Sequence, residues 1–106
     1  MPPEIDLNLE NDEGQIEESS SIDFGAVMDT LDALPDARQR FPVIVSVVPY
    51  GETILQNAEC EKLIAELQEA INEPAVEPVR HHLRAILSMA GRVARDERLR
   101  LRFIGS

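Results

Sequence analysis

Aromatic side chains are scarce in this chain. It has no tryptophan, and three phenylalanines and one tyrosine are all that occur among its 106 residues. A core must therefore be built mainly from aliphatic side chains, which supply most of an apolar fraction of 43%. That fraction is ordinary for a folded protein and argues against a wholly disordered chain. The length predicts a single domain over residues 1–106, because a second independent core would be too small to be stable.

Cysteine and long apolar runs are also nearly absent. Cys60 is the only cysteine, so no internal disulfide can form. The longest apolar stretch, residues 43–48, is far shorter than the roughly 20 residues that span a membrane. No basic segment followed by an apolar one opens the chain, which argues against a secretory signal. We therefore expect a cytoplasmic protein without a membrane partner.

Basic residues are missing from the first third of the chain. Residues 1–37 hold 11 acidic residues and no basic one, and the segments 1–37, 38–79 and 80–106 carry −11, −4 and +5 within a net charge of −10. A negative field repels nucleic acid and anionic lipid, and it speeds encounter with basic partners. The charge balance therefore predicts a partner protein with a basic surface and no nucleic-acid partner.

The acidic amino-terminal segment shows an alternation of period two. Ile5, Leu7 and Leu9 alternate with polar residues, which predicts a half-buried strand, and residues 11–14 form a turn signal. Residues 15–18 would return as the second arm of a hairpin. The alternative is that residues 1–22 are an acidic, partly disordered segment ahead of a compact body over 23–106.

A first helix is predicted after this segment. Serines at 19–21 offer N-cap hydroxyls, and Asp23 lies in the first turn, where an anion meets the helix dipole favourably. Apolar residues from Phe24 to Leu34 then recur every three or four positions, as in an amphipathic helix. Pro35 would end it.

The middle of the chain predicts a strand, a turn and a second helix. Residues 43–48 are apolar and mostly β-branched, which is typical of a central strand. Pro49 and Gly51 fit a tight turn after it. The next helix starts either at Thr53, with Gln56 completing a capping box, or with Asn57 as its N-cap.

A third helix and a last strand complete the order of elements. The helix begins near Val76 and is expected to pack against the second one as an antiparallel pair. In the strand, apolar and basic residues alternate over residues 98–103. The order β-β-α-β-α-α-β predicts an α+β fold, in which a small sheet has helices on one face.

The charge gradient has a simple explanation if the first and last strands are neighbours. Their polar sides would then place opposite charges next to each other, Glu4, Asp6 and Glu10 against Arg98, Arg100 and Arg102. We favour this pairing; the alternative is that a partner binds the polar face. The arginines from Arg92 onward lack interleaved aromatics, so pairing with acidic groups of this chain or of a partner is preferred over nucleic acid.

No combination of residues typical of catalysis was found. The side chains of His81 and His82 diverge by about 100° on a helix, and Glu77 with His81 lacks a third ligand, so we expect no metal. Cys60 lies on an apolar helical stripe, which favours packing over nucleophilic chemistry. Tyr50 and Glu52 lie in a turn beside a strand end, where functional residues often gather. The sequence therefore predicts a protein that is not an enzyme and uses no cofactor.

Three short motifs carry a resemblance over about residues 41–105. Residues 41–42 read Phe-Pro, residues 48–53 read Val-Pro-Tyr-Gly-Glu-Thr, and residues 101–105 read Leu-Arg-Phe-Ile-Gly. In these motifs the chain resembles a family of small, poorly characterised bacterial proteins. That family has an acidic residue, an aromatic residue and an aspartate at the positions of Val48, Leu55 and Ser106, respectively. The resemblance implies no catalytic residue.

The leading interpretation is an acidic binding protein. By size and charge alone, the chain resembles the immunity proteins that neutralise bacterial toxins, and it would act by occluding a basic site. The residues expected to bind the partner are Glu4, Asp6, Glu10, Asp12, Glu13, Glu17, Glu18, Tyr50 and Glu52. The alternatives are a small structural or regulatory protein that self-associates, for example as a homodimer, and an enzyme of unknown type that uses Tyr50, Glu52 or His81.

Overall fold

The computed structural model describes residues 4–47 and 51–105. Within these ranges four strands form one sheet, and their bounds are Glu4–Asn11 (β1), Ile16–Asp23 (β2), Glu52–Leu55 (β3) and Leu99–Gly105 (β4). The helices of the same ranges are Phe24–Asp32 (α1), Ala37–Arg40 (α2), Pro42–Val45 (α3), Asn57–Ile71 (α4) and Arg80–Arg95 (α5), and a 3-10 helix over Pro74–Val79 precedes α5. The predicted α+β class is confirmed.

The sheet is antiparallel throughout and has the strand order β2-β1-β4-β3. The predicted pairing of the first and last strands is confirmed, since β1 runs beside β4 from Ile5 opposite Gly105 to Asn11 opposite Leu99. The chain thus places its acidic first strand directly against its arginine-rich last one. This register also brings the β1–β2 turn next to the segment that precedes β4.

The β1–β2 hairpin is longer than the sequence predicts. Its second arm continues through the serines at 19–21 to Asp23, with a bulge at Leu9/Glu10. The serines therefore lie in β2, and the expectation that they cap the first helix is wrong. Asp23 caps α1 instead, because its Oδ1 accepts a hydrogen bond from the Ala26 N–H at 3.1 Å.

One face of the sheet contributes to the core and packs against the helices. Alternation puts Ile5, Leu7 and Leu9 of β1 on the same side as Leu101 and Phe103 of β4, and all five are fully buried. The ring of Phe103 meets that of Phe24 from α1 edge to face, with centroids 6.2 Å apart. The opposite face carries mostly polar and charged side chains, together with Ile54 and Ile104, and we call it the polar face.

Helices α4 and α5 form an antiparallel pair whose ends cap one another. At the start of α4, Asn57 Nδ2 donates to the Val93 carbonyl at 2.5 Å and to the Asp96 carbonyl at 3.2 Å. Where α5 begins, Arg80 donates from Nε to the Ile71 carbonyl at 3.1 Å. Each helix thus donates side-chain hydrogen bonds to carbonyl groups at the C-terminal end of the other. The carbonyls of Val93 and Asp96 also accept backbone hydrogen bonds, from Asp96 and Leu99. No helix of the described residues is long and apolar enough to cross a membrane.

The strand predicted over residues 43–48 is wrong for the part that the structure describes. Residues 42–45 are α3, and burial of Phe41, Ile44 and Val47 recurs every third residue, as in a helix. Pro42 stands in the first turn, where its missing N–H has no cost. The carboxylate of Glu66 on α4 accepts hydrogen bonds from the N–H groups of Val43 and Ile44 at 3.0–3.1 Å. Helix α3 is therefore fixed by a tertiary cap.

Two helix starts also differ from expectation. Thr53 lies in β3, so the alternative in which the helix starts at Thr53 is wrong. Helix α4 has Gln56 as its N-cap, so the alternative with Asn57 as the N-cap is off by one residue. The third helix begins regular α geometry only at Arg80, because Pro78 lacks the N–H that an α-helix would need there. The predicted turn at Val48, Pro49 and Tyr50 lies outside the described residues.

Candidate functional site

The structure divides the predicted partner-binding residues among separate places. Asp12, Glu13 and Glu17 lie at the β1–β2 turn, whereas Glu4 and Asp6 lie toward the other end of β1. The remaining carboxylates occur in ion pairs, which involve Glu10, Glu18 and Glu52. Tyr50 lies outside the described residues. The eight predicted residues that the structure describes therefore do not form one surface.

The β1–β2 turn is the most acidic of these places. Asn11 organises it, since its Oδ1 accepts hydrogen bonds from the N–H groups of Glu13 at 3.0 Å and Gln15 at 2.9 Å. Gly14 follows with a φ of 81°, a left-handed conformation that suits glycine. The turn therefore has a defined shape and presents the exposed side chains of Asp12, Glu13 and Glu17.

The segment before β4 adds two more carboxylates to this end of the molecule. Because Asn11 pairs with Leu99, Asp96 and Glu97 lie beside the hairpin turn. We call the group Asp12, Glu13, Glu17, Asp96 and Glu97 the acidic tip. A shallow cavity of about 200 Å³ runs between its two halves and is lined by residues of the turn and by Asp96, Arg98 and Leu99.

Arg98 is the basic residue within the acidic tip, and Asp96 holds it. Its Nε and backbone N–H both donate to Asp96 Oδ1, at 3.2 and 3.0 Å. These hydrogen bonds lower the pKa of Asp96 and raise that of Arg98, and the charges of Asp12 and Glu17 raise the pKa of Arg98 further. The tip thus retains a large excess of negative charge, which suits a cationic surface.

A network of arginines and carboxylates occupies the polar face across β1, β4 and β3. Arg102 Nε lies 3.3 Å from Glu10 Oε2 and 3.2 Å from Glu52 Oε1. Arg100 Nη2 lies 3.3 Å from the other oxygen of Glu10, whose side chain is 5% exposed. The carboxylate of Glu10 is therefore enclosed by two guanidinium groups and is unsuited to contact a partner.

The two arginines keep donors that the network does not satisfy. The Nε atoms of Arg100 and Arg102 are both buried, yet neither makes a hydrogen bond of good geometry to the described part of the chain, although Arg102 Nε is close to two carboxylates. The contact of Arg102 with its neighbours is therefore mainly electrostatic. Its role is to join strands that are distant in sequence.

The amino-terminal end of β1 lies beside the histidine pair. The rings of His81 and His82 approach with centroids 4.0 Å apart, so the expected divergence of these side chains is wrong, because the side-chain torsions fold the rings together. Burial lowers the pKa of His82, and the charge of His81 lowers it further, while Asp23 and Glu4 act in the opposite direction. Among residues 4–47 and 51–105, no three metal-ligating side chains converge.

Four of the arginines from Arg92 onward are paired at separate places and do not form one basic surface. Arg92 pairs with Glu18 of β2 at 2.8 Å, Arg98 with Asp96, and Arg100 and Arg102 with Glu10. These contacts confirm that arginines here pair with acidic residues of the chain itself. The expected core position of Cys60 is also confirmed, and burial raises its pKa to about 12.

Asp96 and Glu97 were not among the residues that the sequence predicted to bind a partner. A signal was present, since antiparallel pairing of the first and last strands brings the end of β1 next to the start of β4. The fold and the acidic tip define a small α+β domain with a strongly negative end. Comparisons with protein-family models, curated proteins and solved structures found no match.

Proposed function

We propose that this protein is a binding protein that docks its acidic tip onto a basic surface of a partner protein. The observation that carries the proposal is the gathering of five carboxylates, Asp12, Glu13, Glu17, Asp96 and Glu97, at one end of the molecule, where Asp96 already binds the guanidinium of Arg98. Such an end attracts a cationic partner over a distance of about a Debye length, roughly 10 Å at 0.1 M salt.

The ion pairs of the chain decide which carboxylates remain for a partner. Glu10 and Glu18 are occupied by Arg100, Arg102 and Arg92. Asp12, Glu13 and Glu17 have no ion pair among the described residues, and they are exposed. The charge asymmetry of the chain is thus only partly neutralised internally, which leaves an acidic surface for docking.

In its more specific form, the proposal is that the protein acts as an immunity-type inhibitor in a bacterial cytoplasm. A toxin that acts on nucleic acid needs a basic site to hold phosphates, and an acidic protein can occlude that site. The shape of the hairpin turn, fixed by Asn11, supports this form, because a preorganised loop loses little entropy on binding.

The experiment measures binding between the full chain and the toxin-like products of genes adjacent to its own. We expect a complex at about 50 mM salt that weakens steeply by about 500 mM, as electrostatic docking requires. The triple variant D12N/E13Q/E17Q should lower the affinity by about tenfold or more and slow association.

A matched control variant removes the same number of negative charges from surfaces outside the acidic tip. In D29N/E61Q/E77Q, three exposed carboxylates outside the acidic tip are neutralised. This variant should bind within about twofold of the wild type, because more distant charges are screened. Equal losses in both triple variants, or no complex with any neighbouring product at low salt, would contradict the proposal.

A further inference from the structure

Strand β2 forms an open edge of the sheet. The strand order places it outermost, and no residue of the described ranges pairs with its outer side. It is eight residues long, whereas β3 at the opposite edge has four. A long edge presents a row of backbone donors and acceptors to any chain that can add a strand.

The usual protection of an edge is weak along most of β2. The bulge and the charged residues Glu17 and Glu18 lie near the hairpin turn, and Glu18 is bound by Arg92. Beyond them come three serines at 19–21, which carry no charge and include no proline. The middle of the edge is therefore open to a further strand.

The carboxylates of Glu4 and Asp6 lie just inside this edge, on the polar face. Asp6 is directly opposite Ser21, and Glu4 is opposite Asp23, so both acids are one strand in from the edge. Glu4 and Asp6 are exposed and have no ion pair among residues that the structure describes. The short side chain of Ser21 leaves Asp6 within reach from outside the sheet.

We infer that an extended, basic segment of the partner adds to β2 as a fifth strand. Its Lys or Arg side chains, at alternate positions on the polar face, extend over Ser21 to the carboxylate of Asp6. That carboxylate lies two strand spacings from the new backbone, about 10 Å, and a lysine or arginine side chain pointing along the sheet approaches it. The inference rests on the proposed function and deepens it, because it specifies how backbone hydrogen bonds contribute to recognition of the basic partner.

The negative charge of the amino-terminal segment argues against a second copy of this chain as the strand that adds to β2. Residues 1–37 carry 11 acidic residues and no basic one, so two β2 edges brought together would place like charges side by side. A basic strand has the opposite effect, since it neutralises Asp6 and Glu4. Backbone pairing gives affinity in this mode, and alternate side chains give specificity.

The test uses the full 15N-labelled chain and an octapeptide in which lysine alternates with threonine. We expect amide shifts at Ser19, Ser20 and Ser21, and slower hydrogen exchange at those of the three whose N–H groups point away from β1. The same peptide with N-methyl groups at alternate residues keeps its charge but cannot form the ladder, so it should bind at least about tenfold more weakly. A peptide with glutamate in place of lysine should not bind.

Two variants locate the site. Ser21→Lys puts a positive charge on the edge over Asp6 and should weaken peptide binding about tenfold, whereas Ser88→Lys adds the same charge at an exposed position on α5 and should leave binding unchanged. Exchange protection that rises with protein concentration without peptide would show that a second copy is the occupant and overturn the inference.

The failure of this inference is distinguishable from failure of the proposed function. If the N-methylated peptide binds equally well, with shifts confined to Asp12, Glu13 and Glu17, then strand addition is wrong and docking at the acidic tip stands. If the peptide perturbs no residue of β2, strand addition is wrong as well. The natural partner and the D12N/E13Q/E17Q variant test the tip independently.

Discussion

The guanidinium of Arg102 lies 3.3 Å from the enclosed carboxylate of Glu10, and this contact joins the first and last strands of the sheet. Arg102 stands opposite Asn8, so its contact with Glu10 is diagonal, whereas Arg100 is directly opposite Glu10. Glu10 thereby reduces the repulsion between two arginines on the same face of β4, and Glu52 supplies a second negative charge beside Arg102.

Glu10→Gln should therefore destabilise the fold by about 1–3 kcal/mol, because two largely buried guanidinium groups lose their shared counter-charge. The cost stays below that of a fully buried pair, since the arginine side chains are 26–33% exposed. Urea unfolding measures it. Glu13→Gln, on the exposed hairpin turn, should change stability by less than about 0.5 kcal/mol. Equal midpoints for wild type and Glu10→Gln would contradict the role of Glu10.

Glu66→Ala should destabilise the protein by about 1–3 kcal/mol, because the N–H groups of Val43 and Ile44 lose their acceptor. Burial raises the pKa of Glu66 above its ordinary value of 4.5, so folding takes up a proton there. The contribution of Glu66 to the free energy of unfolding is fully present below pH 4.5. It decreases as the pH rises through the pKa that Glu66 has in the folded protein.

The difference in unfolding free energy between wild type and Glu66→Ala should therefore be larger at acidic than at neutral pH. Denaturant titrations at several pH values measure this difference, from which the other carboxylates cancel. Glu61→Ala, an exposed change on the same helix, serves as control and should show no such trend. A difference that grows with pH would contradict the sign.

His82 gives the opposite pH dependence. Burial and the charge of His81 lower the pKa of His82 below 6.5. The contribution of His82 to the free energy of unfolding is therefore fully present above pH 6.5, and it is lost as the pH falls through the pKa of His82 in the folded protein. His82→Gln should reduce the loss of stability between neutral pH and about pH 5. In the His81→Gln variant, the pKa of His82 followed by NMR should rise, because a repelling charge is removed. An unchanged titration of His82 in that variant would show that the two rings do not interact electrostatically.

Asn57→Ala should cost about 1 kcal/mol or more, because carbonyl groups at the C-terminus of α5 lose a donor that comes from α4. Asn72→Ala is the matched control, since the Asn72 side chain donates to Gln68 on its own helix. Native-state hydrogen exchange distinguishes the two changes. The Asn57 variant should speed exchange in both helices, whereas the control should affect the end of α4 alone.

Cys60 should serve as a reporter of unfolding. Its thiol is fully buried, and desolvation raises its pKa to about 12, so little thiolate forms at neutral pH. Alkylation by iodoacetamide should therefore be slow in the native protein and accelerate with the fraction unfolded in urea. Rapid modification without denaturant would contradict the buried position.

The elements with a strong local pattern were predictable. Alternation identified β1 and β4, and three-to-four spacing identified α1, because one buried face leaves a periodic trace. Pairing of β1 with β4 followed from opposite charges. The arrangement of helices on one side followed from the order of elements.

The local sequence of residues 43–47 does not determine the structure of this segment. Their β-branched side chains favour a strand, but the cap that fixes α3 comes from Glu66, more than twenty residues later, and no local pattern reveals it. A spacing of three between Phe41, Ile44 and Val47 was the available sign of a helix. The acidic tip was half predicted, because its second half depends on the register of β4 and not on local composition.

The central position of β4 has a consequence for biosynthesis. β4 lies between β1 and β3, yet the ribosome makes it after every other described element. Until it emerges, the nascent hairpin has no arginine to neutralise Glu10, and β3 has no neighbour within the sheet. Closure of the sheet, and with it the joining of both halves of the acidic tip, must therefore wait until β4 has been made.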